Sequence, residues 1–455
     1  MKPFYTVASV ELGNTTTKCI LMTTNLQTAE IFLIDKEIRL TRDVRSPKRG
    51  ETTFGYTLSG TALTQQSVSE LVGDVLTTAL SRSRVDIERD LHFVVRSTGV
   101  TAGFASPEEV GKMVKALAEG CLLAGVPPRK MTASLSPDNL PSDLRSFTWL
   151  KKVYFDGAVA SSLPPASTEV VANEMEGELV TAGMKGAAKL TEVDFRNPVM
   201  TLDFGTTLAG RVTDDSYPYA NTVASFAGLA GAIPDALAKG SGLVDSTTGC
   251  VLDLAATPSK LDGAVNEEWL ERASSLIRVE RVPSNVSRFG TVPVNMKAAD
   301  ESNVILIGVD VGTDGSDLKS LEQLGAEIVR NGGVEALFDT IDHIQAGIVQ
   351  SLLTVAESEG IVSEETTLGL TGRSITTGSK PQLINESLRL VDGSRWIDSH
   401  QLLFVEDGLA MGAAVAARCM NSMGTRHNPM GGRKGDKCVM GARMKLQRDD
   451  VGESI

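Results

Sequence analysis

The stretch "VASVELGNTTTKCILM", residues 7–22, decides how this chain is read. A run of β-branched and apolar residues ends at Gly13, and a second apolar run follows Asn14, Thr15, Thr16, Thr17 and Lys18. The pattern predicts two strands around a turn, over 5–10 and 16–22. Ordinary turn chemistry accounts for a glycine among polar residues. A phosphate-holding loop also accounts for it. Gly13 would let backbone approach a ligand, while Asn14, Thr15 and Thr16 would offer amide, hydroxyl and backbone donors. Lys18 could reach a phosphate, and Glu11 sits where a carboxylate could hold Mg2+ through water.

A second stretch strengthens the phosphate reading. "PVMTLDFGTTLAGRVTDD", residues 198–215, repeats the unit with Asp203, Gly205, Thr206 and Thr207 between two apolar runs. The signatures of other phosphate loops, G-x-x-x-x-G-K-[ST] and G-x-G-x-x-G, do not occur.

Length and composition set the frame. A chain of 455 residues suggests two domains or three. Hydrophobic residues at 42% and charged residues at 22% are ordinary for a soluble globular protein. A net charge of −13 repels phosphate backbones, and 5% aromatics leave few stacking platforms, so nucleic acid is excluded as a partner. The five cysteines form no C-x-x-C pair and the four histidines are scattered, so no disulfide framework or metal motif is read. There is no signal-like start and no run of 18 apolar residues. The expectation is a cytoplasmic protein with no membrane segment.

Further elements follow from local signals. Ser67 with Glu70 reads as a capping box before "LVGDVLTTAL", and Ser106, Pro107 and Glu109 open a helix through Leu123. "LHFVVRSTG" is a strand, and residues 135–170, rich in Ser and Pro, are loops or a boundary. "NVILIGVDVGTDGSDL", 303–318, is a strand ending in a Gly/Asp turn. Apolar residues at helical spacing predict a helix over 334–357. "TTLGLTGRSITTGSKPQLI" reads strand, glycine turn, helix, and 405–420 is a small-residue helix. Residues 424–448 are Gly-rich and basic.

These motifs carry a resemblance. "VELGNTTTK" and "TLDFGTTLAGRV" resemble the two phosphate loops of the sugar kinase, heat-shock protein and actin superfamily. The first is especially similar to the loop of ATP-dependent activators of 2-hydroxyacyl-CoA dehydratases. "LGLTGRSITTGSKPQLI" occupies the place of the adenosine motif. "ANTVASFAGLAGAIPDALAKGSG" resembles part of the reductive activators of corrinoid proteins, without the iron–sulfur cysteines those carry in a separate domain. The whole chain, with its "GGRKGDKC" tail, resembles the methanogenesis marker protein 14 family.

The resemblance implies an α/β fold of two actin-like (ribonuclease H-like) lobes, each with a mixed five-stranded sheet, and a nucleotide cleft between them. The first lobe would span 1–197 with insertions, the second 198–423, and 424–455 a basic tail. It implies ATP and Mg2+ as cofactors. Glu11 and Asp203 would be the catalytic and metal residues. Gly13, Asn14, Thr15, Thr16, Lys18, Gly205, Thr206, Thr207, Gly372, Arg373 and Ser374 would bind the nucleotide. The implied activity is an ATP-driven activator or maturation factor acting by lobe closure on a metallocofactor or tetrapyrrole enzyme of methane metabolism. A homodimer is compatible with it. A small-metabolite kinase and a non-catalytic nucleotide-sensing scaffold are the alternatives.

Two departures bear on turnover. Glu11 stands where the superfamily has Asp, and Arg373 and Ser374 follow Gly372 where another glycine is usual. Asp310 and Gly312 imitate the phosphate loops, but a surface turn accounts for them. His343 falls on a polar helix face, Cys19 in the core, and the tail with His427 and Cys438 reads as peripheral.

Overall fold

In a computed structural model the described residues are 4–104, 106–131, 158–160, 171–216, 220–244 and 266–423. The tail 424–455, with His427 and Cys438, and nearly all of the Ser/Pro-rich stretch lie outside them.

The chain begins with an antiparallel pair, β1 (Phe4–Leu12) and β2 (Thr16–Asn25), extended by β3 (Ile31–Leu40). A small hairpin, β4 (Thr53–Tyr56) and β5 (Ala62–Thr64), leads into helix α1 (Gln65–Ser83). Strand β6 (Leu91–Thr98) returns parallel to β1, helix α2 (Pro107–Leu123) follows, and β7 (Ala158–Ala160) closes the sheet. The order is β3-β2-β1-β6-β7. Strand β1 alternates between two cores. Ala8, Val10 and Leu12 face α1 and α2, while Tyr5 and Val7 face the opposite side. Burial on both faces explains why apolar residues stand at both parities of residues 7–12, Val7 on one face and Ala8, Val10 and Leu12 on the other.

The second sheet repeats this plan. Helix α3 (Glu174–Ala188) precedes β8 (Val199–Phe204), β9 (Leu208–Thr213) and β10 (Thr222–Gly228), which form an antiparallel meander. Helices α4 (Ala232–Ser241) and α5 (Glu267–Leu276) come next, then β11 (Ile277–Arg281), the short pair β12 (Arg288–Phe289) and β13 (Val292–Pro293), α6 (Met296–Ser302) and β14 (Ile305–Val311). The long helix α7 (Leu318–Ser358) leads to β15 (Thr367–Thr371), α8 (Arg373–Thr376), α9 (Lys380–Ser387), α10 (Trp396–Ser399), β16 (Leu402–Val405) and α11 (Gly408–Met423). Strand β15 lies parallel to β8, and β16 parallel to β15.

The inner five strands, β10-β9-β8-β15-β16, have the order and directions of the first sheet. Two α/β lobes of one topology therefore face each other, which is the expected actin-like architecture. The expectation of five strands per lobe needs correction. β14 and β11 extend the second sheet to seven, because the apolar strand 305–311 pairs parallel to β10 and gives β11 an edge.

Helices α3 and α11 form a layer between the sheets. α11 packs on β1 and β2, α3 packs on β8 and β9, and the two helices pack on each other. The chain thus crosses between lobes twice. Backbone contact at the crossing is close enough to require glycine. A Cβ on Gly412 would lie 1.8 Å from the Leu179 carbonyl oxygen, and one on Gly183 would lie 1.9 Å from that of Gly408.

Local expectations hold with shifts. Ser106 and Glu109 form the capping box of α2, with proline in the first turn. The box of α1 is Thr64 with Ser67, three residues earlier than expected, and Glu70 instead binds Arg45. Helix α7 begins well before 334. Its break at Gly333, where φ is 82°, separates the expected helix from a preceding one. Residue 405 ends β16, so the last helix starts at Gly408. Asp310 accepts backbone N–H bonds from Asp314 and Gly315 and pairs with Arg278, so it serves its own turn.

Candidate functional site

The tips of the two hairpins meet at one cleft between the lobes. Each hairpin is an antiparallel pair at a sheet centre, so its turn projects where the parallel strands of the same sheet also end. Glu11, Gly13, Asn14, Thr15, Thr16, Lys18, Asp203, Gly205, Thr206, Thr207, Gly372 and Arg373 all line the cleft. Ser374 does not. It is buried, and its hydroxyl donates to Gln345 Oε1 at 3.4 Å.

The first hairpin is largely self-satisfied. Register places Lys18 opposite Glu11, and Lys18 Nζ lies 2.9 Å from Glu11 Oε2. Burial opposes the Lys18 charge, but Glu11, with help from Asp407 and Asp203, outweighs it and raises the ammonium pKa. Asn14 is buried, and its amide works structurally. Asn14 Nδ2 donates to the Gly99 carbonyl at 3.2 Å, and Oδ1 accepts from Leu58 N at 2.8 Å. Thr15 Oγ1 crosses the cleft, donating to Asp235 Oδ2 at 2.8 Å and lying 3.1 Å from Thr206 Oγ1.

The second hairpin differs in charge. Ala209 stands opposite Asp203, so no cation balances that carboxylate across the strands. Asp203 is 6% exposed. Burial, reinforced by Glu11 and opposed by Lys18, pushes its carboxyl up to about 7. Gly372, with φ of 94°, closes against it. A Cβ there would lie 2.5 Å from Phe204 O and 2.7 Å from Asp203 Oδ1.

Sequence reasoning missed four acidic residues of the cleft: Glu176, Asp235, Glu406 and Asp407. Glu176 sits in the first turn of α3, with Oε2 buried and without a hydrogen-bond partner. Burial raises its pKa well above the ordinary carboxyl range, and Asp203 and Glu11 add to the effect. Asp407 pairs with Lys36 of β3 at 2.8 Å. No local motif marks these four, because folding alone brings them to the hairpins.

The lining holds six carboxylates against two basic side chains, Lys18 and Arg373. An anionic ligand entering such a site needs an accompanying cation. Carboxylates and threonine hydroxyls are hard oxygen donors, which fit Mg2+. Among the described residues no three His, Cys, Asp or Glu side chains form a metal-ligating group. The donor set therefore suits a cation held largely by phosphate and water. Among the described residues no helix is long and apolar enough to cross a membrane.

A protein of Methanothermobacter thermautotrophicus is 53% identical over 453 residues, covering 98% of this chain and 84% of that one. One from Methanocaldococcus jannaschii is 50% identical over 447 residues, covering 98% and 92%. A solved structure described as a reductive activator for corrinoid, iron-sulfur protein is 11% identical, with a TM-score of 0.35. That alignment covers 97% of this chain and 63% of that one, so this chain spans less than two thirds of that protein's length. Residues 4–447 match the sequence profile of one family, and the chain belongs to it: the archaeal family described as "Uncharacterized protein conserved in archaea (DUF2114)".

Proposed function

We propose that the cleft binds Mg-ATP and that the protein is an ATP-hydrolysing activator or maturation factor whose output is lobe closure. The lobes are 1–197 and 198–423, and 424–455 is a basic tail. The observation that carries this reading is Asp203. It is a buried carboxylate with no cation opposite it across the strands, in the second of two hairpins of the same motif that meet at the cleft.

Bound Mg-ATP would supply a phosphoanhydride and the cation that the acidic lining lacks. Thr15 and Thr16 on one side and Gly205, Thr206 and Thr207 on the other would donate to phosphate oxygens, while Gly13, whose N–H is given to the Thr16 carbonyl, leaves room for the approach. Gly372 and Arg373 would form the nucleoside side, with Ser374 buried behind them. Asp203 would orient a water and accept its proton. Glu176 gives the same space a second buried carboxylate, and Glu11 keeps Lys18 in place. Closure draws on the cross-cleft contact of Thr15 with Asp235 and Thr206. The resemblance to the methanogenesis marker protein 14 family supports a metallocofactor or tetrapyrrole enzyme of methane metabolism as partner. The Lys18–Glu11 ion pair favours one second reading, a nucleotide sensor that binds without turnover.

Thermal unfolding with and without Mg-ATP, on wild type and Asp203→Ala, tests the core of this. A ligand at about 100 times Kd adds roughly 2.7 kcal/mol to the native state. The expected result is a clear upward shift in wild type that the variant loses. No shift at millimolar Mg-ATP in folded protein removes the nucleotide from the account.

A further inference from the structure

The second half of α7 packs its apolar face into the core through Leu337, Ile341, Ile344 and Ile348. Within that face stand two polar residues one turn apart, Asp342 and Gln345, which are 2% and 0% exposed. Asp342 Oδ2 accepts from Ser379 N at 2.6 Å, and Oδ1 pairs with Lys380 Nζ. Lys380 is itself 0% exposed and also donates to the Thr377 carbonyl at 3.1 Å. Gln345 Nε2 donates to the Ala230 carbonyl at 3.3 Å, while its Oε1 accepts from Ser374. Next to Ala230, Gly231 N donates to the Gly205 carbonyl of the second hairpin at 2.7 Å.

A fully buried ion pair is an expensive way to fill a core. Replacing both partners by apolar side chains of similar volume is often neutral or stabilising. Stability therefore does not account for Asp342 and Lys380. Their hydrogen bonds do something that Leu and Met could not. They fix the turn 377–380 at two backbone groups, Ser379 N and Thr377 O, and Gln345 fixes Ser374 and Ala230 to each other.

We propose that Asp342, Gln345 and Lys380 are positioning residues that hold the segment 372–380 against the second hairpin, so that Gly372 and Arg373 present the nucleoside side of the cleft in register with its phosphate side. This rests on the nucleotide reading above. None of the three lines the cleft, so each acts through the backbone it holds. A sloppier segment would blur recognition of base and ribose and leave the hairpin tips untouched.

The test uses the full chain with the double variant D342L/K380M, which removes both charges together. Three quantities are read: the urea midpoint, hydrogen–deuterium exchange of 372–383 without ligand, and Kd at fixed Mg2+ for ATP and for inorganic tripolyphosphate. The expected result is a midpoint lowered less than by either single substitution, since the two charges go together while Ser379 N and Thr377 O lose their partners, with faster exchange confined to that segment, ATP binding weakened about tenfold or more, and tripolyphosphate binding unchanged. The single variant Lys380→Met, which strands a buried carboxylate, should lower the midpoint further. Unchanged exchange, or ATP and tripolyphosphate weakened alike, overturns the positioning role. If wild type binds neither ligand, the nucleotide reading fails, and the exchange result alone decides whether the three residues hold the segment.

Discussion

The two hairpins share a motif and a place in their sheets, yet they are electrostatic opposites. In the first, Glu11 faces Lys18 across the strands, Asn14 fastens the loop to Gly99 and Leu58, and Thr41 Oγ1 donates to the Gly13 carbonyl at 2.8 Å. In the second, Asp203 faces Ala209, and the loop is held by backbone bonds from Ala230 and Ala232 to the Thr206 carbonyl. One hairpin is neutralised from within. The other keeps a buried charge whose partner must come from elsewhere. The charge difference lies in one cross-strand position, Lys18 in the first hairpin and Ala209 in the second.

The comparison exists only because the α3–α11 crossing brings both hairpins to one cleft, and breaking that crossing should have the largest effect. Gly412→Ala places a methyl group 1.8 Å from the Leu179 carbonyl oxygen. Backbone on both sides leaves nothing soft to yield, so a loss of about 3 kcal/mol or more is expected. Gly111→Ala in α2, where nothing lies within 4 Å, is the control and should be neutral or stabilising. Chemical denaturation of the two variants measures both. Equal stability would mean the helices are not in contact as described.

The next effect isolates the second hairpin. Asp203 has a folded pKa near 7, above its ordinary value of 3.8. Between those values the native state binds more protons than the unfolded chain, so stability falls as pH rises. Without ligand, its contribution is fully present below pH 4 and is lost as pH passes through about 7. A rise of this size corresponds to an effect on the order of 4 kcal/mol. Asp203→Asn should remove that share of the slope and also shrink the share of Glu176, because burial raises the Glu176 carboxyl first and the Asp203 charge adds to it. Unfolding midpoints from pH 5 to 8 test this, and a wild-type stability flat over that range would refute it. Millimolar Mg-ATP should flatten the wild-type slope more than the variant's.

What could be read in advance was what neighbours in sequence decide. Both hairpins, the Ser106–Glu109 cap and the strand–glycine–helix unit at 367–387 depend on residues a few positions apart, and each stands where expected. The cap of α1 moved because Thr64 and Ser67 satisfy each other, a rival pair of the same chemistry. Glu176, Asp235, Glu406 and Asp407 escaped notice because acidic residues in helix first turns and strand-end loops are ordinary surface features. Only the meeting of α3, α4 and α11 with the hairpins turns them inward. β11 and the first half of α7 escaped for related reasons. β11 is half-buried, with no clean alternation, and Gly332-Gly333 reads as the boundary of an element that continues on both sides.

The smallest effect comes from exchanging the one position that separates the hairpins. Lys18→Met leaves Glu11 without its cation in a partly buried site, a loss of about 1–3 kcal/mol. It should also give the first hairpin the falling pH profile that Asp203 gives the second. Ala209→Lys does the reverse. It sets an ammonium opposite Asp203 and should lower that carboxyl's pKa and weaken the pH slope, at a cost in overall stability because Ala209 is buried. Combining both substitutions should move the titrating carboxylate from one hairpin to the other with little change in total slope. If the slope instead tracks Asp203 whatever stands at 18 and 209, burial alone sets its charge, and the cross-strand partner is irrelevant to the contrast.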